Sequence, residues 1–485
     1  MKKTGTIKYN FIMNSLLTAS SVIFPLITYP YASRVIEPKG VGLVSFASST
    51  IAYFSMFAQL GIPTYGIRIC AQVRDDKEKL SRTVHEIMFI NLLTCLITYI
   101  AFFAAIFFIP KYYANKELFY VMGILILCNS IGAEWLYKGL ELYGYITIRS
   151  VVFKFIALIA MFLFVRTKDD YIIYGAISIL AMAGSNIINF FNLRKYLICR
   201  PLKGYNLRQH LRPIAIFFAM SIAVTVYTNM DNIMLGFIKG EVENGYYDAA
   251  VKIKMILVGF VASLGTVLMP RLSYYVEQGK TDEIYNITKK SLCFVMLLSV
   301  PLCLYFILFA GPSIDLLSGK LFVNSVLPMR LIMPTLIFIG FTNIMGMQLL
   351  VPLKKERYVL YSEIAGAVVN IVINIILIPK FGACGAAIGT VLAEIMVFLV
   401  QLYYSRDIVG SIITKLPYFK MITALLFSVA SSVWTLFVLD GSFVTLVLSA
   451  LLFFVSYVAI LLLLKEPLVC ELWRQTAGFL KHRTR

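Results

Sequence analysis

The stretch Phe443-Val-Thr-Leu-Val-Leu-Ser-Ala-Leu-Leu-Phe-Phe-Val-Ser-Tyr-Val-Ala-Ile-Leu-Leu-Leu-Leu464 decides the fold. It carries no charged side chain. As a helix it would be about 33 Å long at 1.5 Å per residue, and the hydrocarbon of a bilayer is about 30 Å thick. Working outward, the same rule predicts thirteen more spans, at 11–33, 42–62, 84–109, 118–137, 145–165, 171–193, 213–237, 246–269, 291–310, 326–350, 358–378, 383–405 and 418–438. The predicted fold class is an all-α polytopic membrane protein. The 485 residues are 60% hydrophobic and only 14% charged, with a mean hydropathy of +0.82. That balance excludes a soluble globular domain, a disordered chain and a disulfide scaffold.

The net charge of +19 does not imply nucleic acid, because the basic residues are scattered between apolar runs. About three quarters of the Lys and Arg fall on the side of the N-terminus and every second loop. The clearest basic loops are Arg68–Arg82 and Arg194–Arg212. By the positive-inside rule both termini are cytoplasmic, which an even number of spans requires. The lead Met1–Asn10 runs into the first span without a small-residue cleavage site and reads as part of a membrane helix. The eight cysteines are dispersed and His85, His210 and His482 are far apart, so no metal centre is expected. Outward loops are short, the longest lying near Gly311–Val326. This argues against a membrane-bound polymerase or ligase.

A weak repeat is visible. Gly42-Leu-Val-Ser-Phe-Ala opens the second span and Gly245-Tyr-Tyr-Asp-Ala-Ala opens the eighth. Each follows a short outward loop with Lys-Gly, and each span runs to a proline, Pro63 or Pro270. Glu134–Tyr143 and Gln348–Tyr358 form a second pair. An offset of six spans keeps both halves in one orientation, as in parallel-repeat transporters. The expected organisation is an N-lobe of helices 1–6 (1–195), a basic cytoplasmic linker (196–212), a C-lobe of helices 7–12 (213–405), helices 13 and 14 (406–465) and a basic cytoplasmic tail (466–485). Two six-helix lobes would surround a central cavity.

Several stretches together resemble one family. They are Tyr31-Ala-Ser-Arg-Val-Ile-Glu-Pro-Lys-Gly-Val-Gly42, Leu60-Gly-Ile-Pro-Thr-Tyr-Gly-Ile-Arg68, Glu134-Trp-Leu-Tyr-Lys-Gly-Leu-Glu-Leu-Tyr-Gly-Tyr-Ile-Thr-Ile-Arg149 and Pro379-Lys-Phe-Gly-Ala-Cys-Gly-Ala-Ala-Ile-Gly-Thr390. In order and spacing, over residues 5–465, the chain resembles the Wzx-like polysaccharide flippases of the multidrug/oligosaccharidyl-lipid/polysaccharide exporter (MOP) superfamily. The resemblance implies a non-enzymatic carrier in a bacterial cytoplasmic membrane. It would move an undecaprenyl-diphosphate-linked oligosaccharide from the inner to the outer leaflet by rocking of two lobes. It also implies membrane lipids, a polysaccharide polymerase and chain-length machinery as partners. No cofactor is implied beyond a coupling H+ or Na+. The chain lacks the G-x-x-x-x-G-K-[ST] phosphate cradle, in keeping with a carrier not driven by ATP.

Ionisable groups inside a membrane are costly and mark candidate sites. Lys252 shares a helix face with Asp248, where it would either draw the substrate diphosphate or neutralise the aspartate. Lys254 points roughly 200° away from Lys252. Arg34 ends the first span, matches the family's arginine, and would attract an anion or satisfy helix carbonyls. Asn229, Asp231 and Asn232 form a polar cluster suited to ion coupling or to pairing with a span-8 lysine. Glu363, Asn370 and Asn374 line one stripe of span 11 and would bond sugar hydroxyls or neighbouring helices. Glu134 and Arg149 flank a cytoplasmic turn, as an entrance for a sugar-diphosphate head or as a structural pair. A drug or organic-cation antiporter and a peptidoglycan-precursor flippase are the competing readings.

Overall fold

The structure is a computed structural model and describes residues 7–483. The lead Met1–Thr6, the end of the basic tail at Thr484–Arg485, and the side chain of Pro270 lie outside the described residues. Among the described residues every regular element is a helix. Ten helices are long and apolar enough to cross a membrane, or twelve if two bent pairs, Arg208–Ile222 with Val224–Ile238 and Lys320–Ile332 with Thr335–Leu350, each make one span. Among the described residues this count does not confirm the expected fourteen. At the start, the spans expected at 11–33 and 42–62 are two helices that meet at the non-helical Glu37 (φ 58°, ψ 176°) within Ile7–Gln59, and they enter that count as one. The expected eighth span, 246–269, falls within the helix Glu241–Glu277, part of which lies outside the described side chains, so it does not enter that count.

The chain forms two compact units, which meet in sequence between Gly245 and Tyr246. In the first unit, side chains gather into two apolar clusters that reveal how the helices run. One cluster joins Leu17, Ile62, Tyr65, Leu80, Val84, Trp135, Leu136, Ile146, Leu193 and Ile214. The other joins Leu43, Phe46, Phe102, Ile106, Leu118, Met122, Ile179 and Ile233. The first thus collects helix beginnings and ends in strict alternation along the chain, and the second collects the opposite ends. The chain must turn back at Glu37-Pro38 for Leu17 and Ile62 to share one level. That alternation is what a polytopic helix bundle requires.

Hydrogen bonds fix the registers. Thr147 Oγ1 donates to Met13 O, Lys154 Nζ to Ser20 Oγ and Tyr31 Oη to Val165 O, so Ile7–Ile36 runs parallel to Tyr143–Phe164. Asn91 Nδ2 reaches Ser130 O and Tyr99 Oη reaches Gly123 O, setting Lys77–Phe108 antiparallel to Lys116–Ile131. The Arg208–Ile238 helix lies antiparallel to the second span, with Phe46 against Phe237 and Phe57 against Phe218. Outward faces carry Phe103, Phe107, Phe108, Ile159 and Phe164, all exposed, as lipid contact demands.

In the second unit Glu356–Phe381 and Ala383–Ile413 form an antiparallel pair around Gly382. Gln401 Nε2 donates to Ser362 Oγ at 3.0 Å, and the Tyr358 and Tyr404 rings stack at 3.8 Å. The core of this unit includes Leu292, Phe309, Met345, Val409 and Phe453. The tail helix Pro467–Arg483 begins at Glu466, which is buried and accepts from the Val469 amide.

Candidate functional site

One buried polar cluster in the first unit surrounds Arg149. Ala133 adopts a left-handed conformation (φ 40°) and sets Glu134 at the start of the short helix Glu134–Gly139. Glu134 pairs with Lys138 at 2.8 Å and approaches Arg149 Nη2 at 3.9 Å. Arg149 is only 6% exposed; its Nη1 donates to Ser185 O, and its guanidinium lies 5.7 Å from the Tyr145 ring centre. Tyr137 Oη donates to Asn189 O at 2.7 Å. Around the guanidinium, Arg149 Nε and Nη2, Tyr145 Oη, Asn186 Oδ1 and the Asn189 amide have no hydrogen-bond partner. Buried polar groups are ordinarily satisfied, by protein or by ordered water, so these atoms have spare hydrogen-bonding capacity.

Deeper along the same helix, Lys154 is 8% exposed and its Nζ donates to Ser20 Oγ and Ser21 Oγ, both at 2.8 Å. Among the described residues no carboxylate lies within ion-pair distance of Lys154. Burying an ammonium without a counter-charge costs several kcal/mol after relaxation. Arg149 and Lys154 thus place two buried cations on one helix, Tyr143–Phe164, the second of them held by hydroxyls.

A second buried cluster joins three helices. Glu86 (1% exposed) and His210 (2% exposed) meet at 2.7 Å, and Tyr65 Oη lies 2.7 Å from the other ring nitrogen of His210. At the opposite level Lys111 pairs with Glu241 at 3.3 Å and also donates to Gly236 O.

The residues singled out from sequence fall as follows. Arg34 is exposed and its Nη1 donates to Pro30 O at 2.6 Å, a helix-carbonyl contact. Asn229 donates to Thr225 O and Thr228 Oγ1; Asp231 is buried; Asn232 is half-buried with an unsatisfied Oδ1. All four belong to the first unit. In the second unit Asp248 is buried and lies 3.9 Å from Lys252, which is 40% exposed. Lys254 is half-buried. Asn370 and Asn374 are buried and bonded to one another at 3.1 Å, whereas Glu363 is half-buried on the same helix. The structure thus brings together Glu134 with Arg149, Asp248 with Lys252, and Asn370 with Asn374.

Sequence reasoning passed over Lys154 and the Glu86–His210 pair. A lysine near the middle of an apolar span was a visible signal for the first. No local signal could join residues 124 positions apart.

The fold defines a class, the polytopic helix bundles with the MurJ- and MATE-like architecture. Among solved structures, the fold is similar to that of the lipid II flippase MurJ in an inward closed conformation, with a TM-score of 0.73 at 16% identity over 93% of this chain and 98% of that one. An inward-facing multidrug resistance MATE transporter of the MOP superfamily gives 0.59 at 13% identity, over 84% and 99% of the two chains. Residues 7–276 match the family described as polysaccharide biosynthesis protein, and 216–376 match MatE. The chain belongs to the polysaccharide biosynthesis protein family, a Wzx-like branch of that superfamily. One relative, from Escherichia coli K12, is named "Putative O-antigen transporter" and is 24% identical over 83% of this chain and 97% of its own length. Another, from Haloferax volcanii, is named "Probable low-salt glycan biosynthesis flippase Agl15" and is 21% identical over 46% of this chain and 43% of its own length.

Proposed function

We propose that this multi-pass membrane protein flips an undecaprenyl-diphosphate-linked oligosaccharide repeat unit from the inner to the outer leaflet of a bacterial cytoplasmic membrane, by alternating access, for surface polysaccharide synthesis. Both termini would be cytoplasmic, and a polymerase with its chain-length machinery would receive the product. The observation that carries this reading is the pair of buried cations, Arg149 and Lys154, on one helix. A diphosphate is an anion that must cross a low-dielectric layer, where attraction to a fixed cation is far stronger than in water. A carrier of organic cations would need the opposite sign. The unsatisfied amide and hydroxyl groups beside Arg149 suit sugar hydroxyls and phosphate oxygens alike. The relatives named for O-antigen transport and glycan flipping support the same substrate class.

The test is depletion in the native host, followed by locating the lipid-linked oligosaccharide with a membrane-impermeant sugar probe. Accumulation on the cytoplasmic side, reversed by the intact protein and not by Arg149→Ala, supports the flippase. Unchanged glycan export with altered drug sensitivity overturns it in favour of an antiporter.

A further inference from the structure

The Tyr65–His210–Glu86 cluster is not used by the substrate path just described, yet its chemistry is complete. Glu86 Oε1 accepts from the Asn206 amide at 2.6 Å. Its Oε2 contacts Gln209 Nε2 at 3.0 Å and His210 Nε2 at 2.7 Å. His210 Nδ1 lies 2.7 Å from Tyr65 Oη. These contacts tie three elements: Ile62–Val73, Lys77–Phe108 and the first turn of Arg208–Ile238.

From this geometry we infer that Glu86 and His210 form an internal proton-binding site, whose occupancy sets how tightly the Ile62–Val73 helix and the start of Arg208–Ile238 dock on Lys77–Phe108. With one proton on Nε2, the neutral imidazole donates to Glu86 and accepts from Tyr65, and the cluster carries one negative charge. A second proton on Nδ1 turns the Tyr65 contact around: the imidazolium donates to Oη, and the hydroxyl proton rotates away. The cluster is then a neutral ion pair, whereas before it held an uncompensated buried carboxylate, the costly arrangement. Both states are reached without moving a heavy atom, so the site can bind and release a proton in place.

The groups facing it are few. Ile62–Val73 contributes Tyr65, with Arg68 and Cys70 acting electrostatically on that hydroxyl. Lys77–Phe108 contributes Glu86, with Arg82 occupied by Glu78 and His85 by Tyr205. Arg208–Ile238 contributes His210 and Gln209, while Arg208 and Arg212 are exposed. Apolar Trp135 and Phe217 complete the surroundings. The two docking elements are also packed closely on one another. Leu60 sits at φ 47° in the break between two helices, and the adjoining Gly61 lies against Ile214, Phe217 and Phe218.

The test follows hydrogen exchange of the full chain in nanodiscs from about pH 5 to 8, the range an imidazole switch covers, corrected for intrinsic exchange. The expected result is a step of at least fivefold greater protection at acidic pH in Ile62–Val73 and the first turn of Arg208–Ile238. Glu86→Gln and His210→Gln each abolish the step. Tyr65→Phe, which keeps the His–Glu contact, retains the step and shifts its midpoint. Pulse acidification read by a pH indicator should show about one fewer proton taken up per chain in His210→Gln. A wild-type protein with flat protection overturns the inference, as does a step that survives both variants. If both variants fail to fold, the wild-type and Tyr65→Phe curves decide alone: a flat wild-type curve, or loss of the step in Tyr65→Phe, rejects the site.

Discussion

Gly42 and Gly245, the opening glycines of the two repeat-like segments, lie against one another. A Cβ added to Gly42 would sit 2.7 Å from the Gly245 nitrogen and would also overlap Glu241 O, while a Cβ on Gly245 would overlap Pro38 O. Asn244, fully buried, donates from Nδ2 to Gly42 O at 2.8 Å and secures the crossing. The obstacles are backbone atoms, which cannot swing aside as a side chain can. Overpacking of this kind costs roughly 1–3 kcal/mol. Gly42→Ala and Gly245→Ala should each lower the melting temperature of the purified protein and reduce its activity. An alanine at either position with wild-type melting would show that the two segments part easily.

Lys154 separates stability from transport. Replacing a buried charge by an apolar side chain of similar volume is often neutral or stabilising. Lys154→Met should therefore melt at or above the wild-type temperature, yet lose at least tenfold in glycan export. Equal export would remove Lys154 from the substrate path.

At Arg149 the fork of donors matters more than the charge, because lysine cannot make two directed contacts from a planar group. Arg149→Lys should restore little of the activity lost in Arg149→Ala, by less than about tenfold, measured as complementation of the depleted host.

Orientation is open to a thiol label. Cys199 is the one exposed cysteine among the described residues and lies in the basic linker. A membrane-impermeant maleimide should modify it in inverted vesicles and spare it in intact spheroplasts. Labelling from outside would overturn the proposed cytoplasmic placement of both termini.

Asp76 caps the Lys77–Phe108 helix, accepting from the amides of Glu78 and Lys79 at 3.0 Å each. The Lys79 amide bond does most to hold its carboxyl below the usual carboxylate range. A depressed folded-state pKa means the cap contributes above the unfolded value and is lost as pH falls through the folded one. Corrected for intrinsic exchange, protection at Glu78 and Lys79 should fall selectively in acid, and Asp76→Ala should show the same loss of protection at neutral pH.

Much of this was legible. Apolar runs located the helices because a bilayer enforces length and hydropathy. Glu134 with Arg149 and Asp248 with Lys252 could be paired from spacing, since a helix or a tight turn joins them. Arg34 could not be resolved from sequence, because a helix-end arginine is equally suited to carbonyls and to anions; its bond to Pro30 O is the former. The chain beyond the basic linker was expected to begin the second lobe with span 7, whereas Arg208–Ile238 packs with the first unit's helices, with Phe57 on Phe218. Glu86 and His210 escaped because their meeting depends on tertiary packing between helices with no shared period.

The parallel seating of Ile7–Ile36 against Tyr143–Phe164 has a consequence for biosynthesis. Its three bonds each join residues 134 positions apart: Met13 with Thr147, Ser20 with Lys154, Tyr31 with Val165. At 5–20 residues per second, a ribosome needs about 7–27 s to make that interval. Throughout it the first helix is already in the membrane without its neighbour. When Lys154 arrives, Ser20 and Ser21 must still be at hand, for otherwise an ammonium enters lipid with nothing to hold it. Assembly is thus ordered in time, and the earliest helix must be retained beside the insertion machinery until the fifth has been delivered.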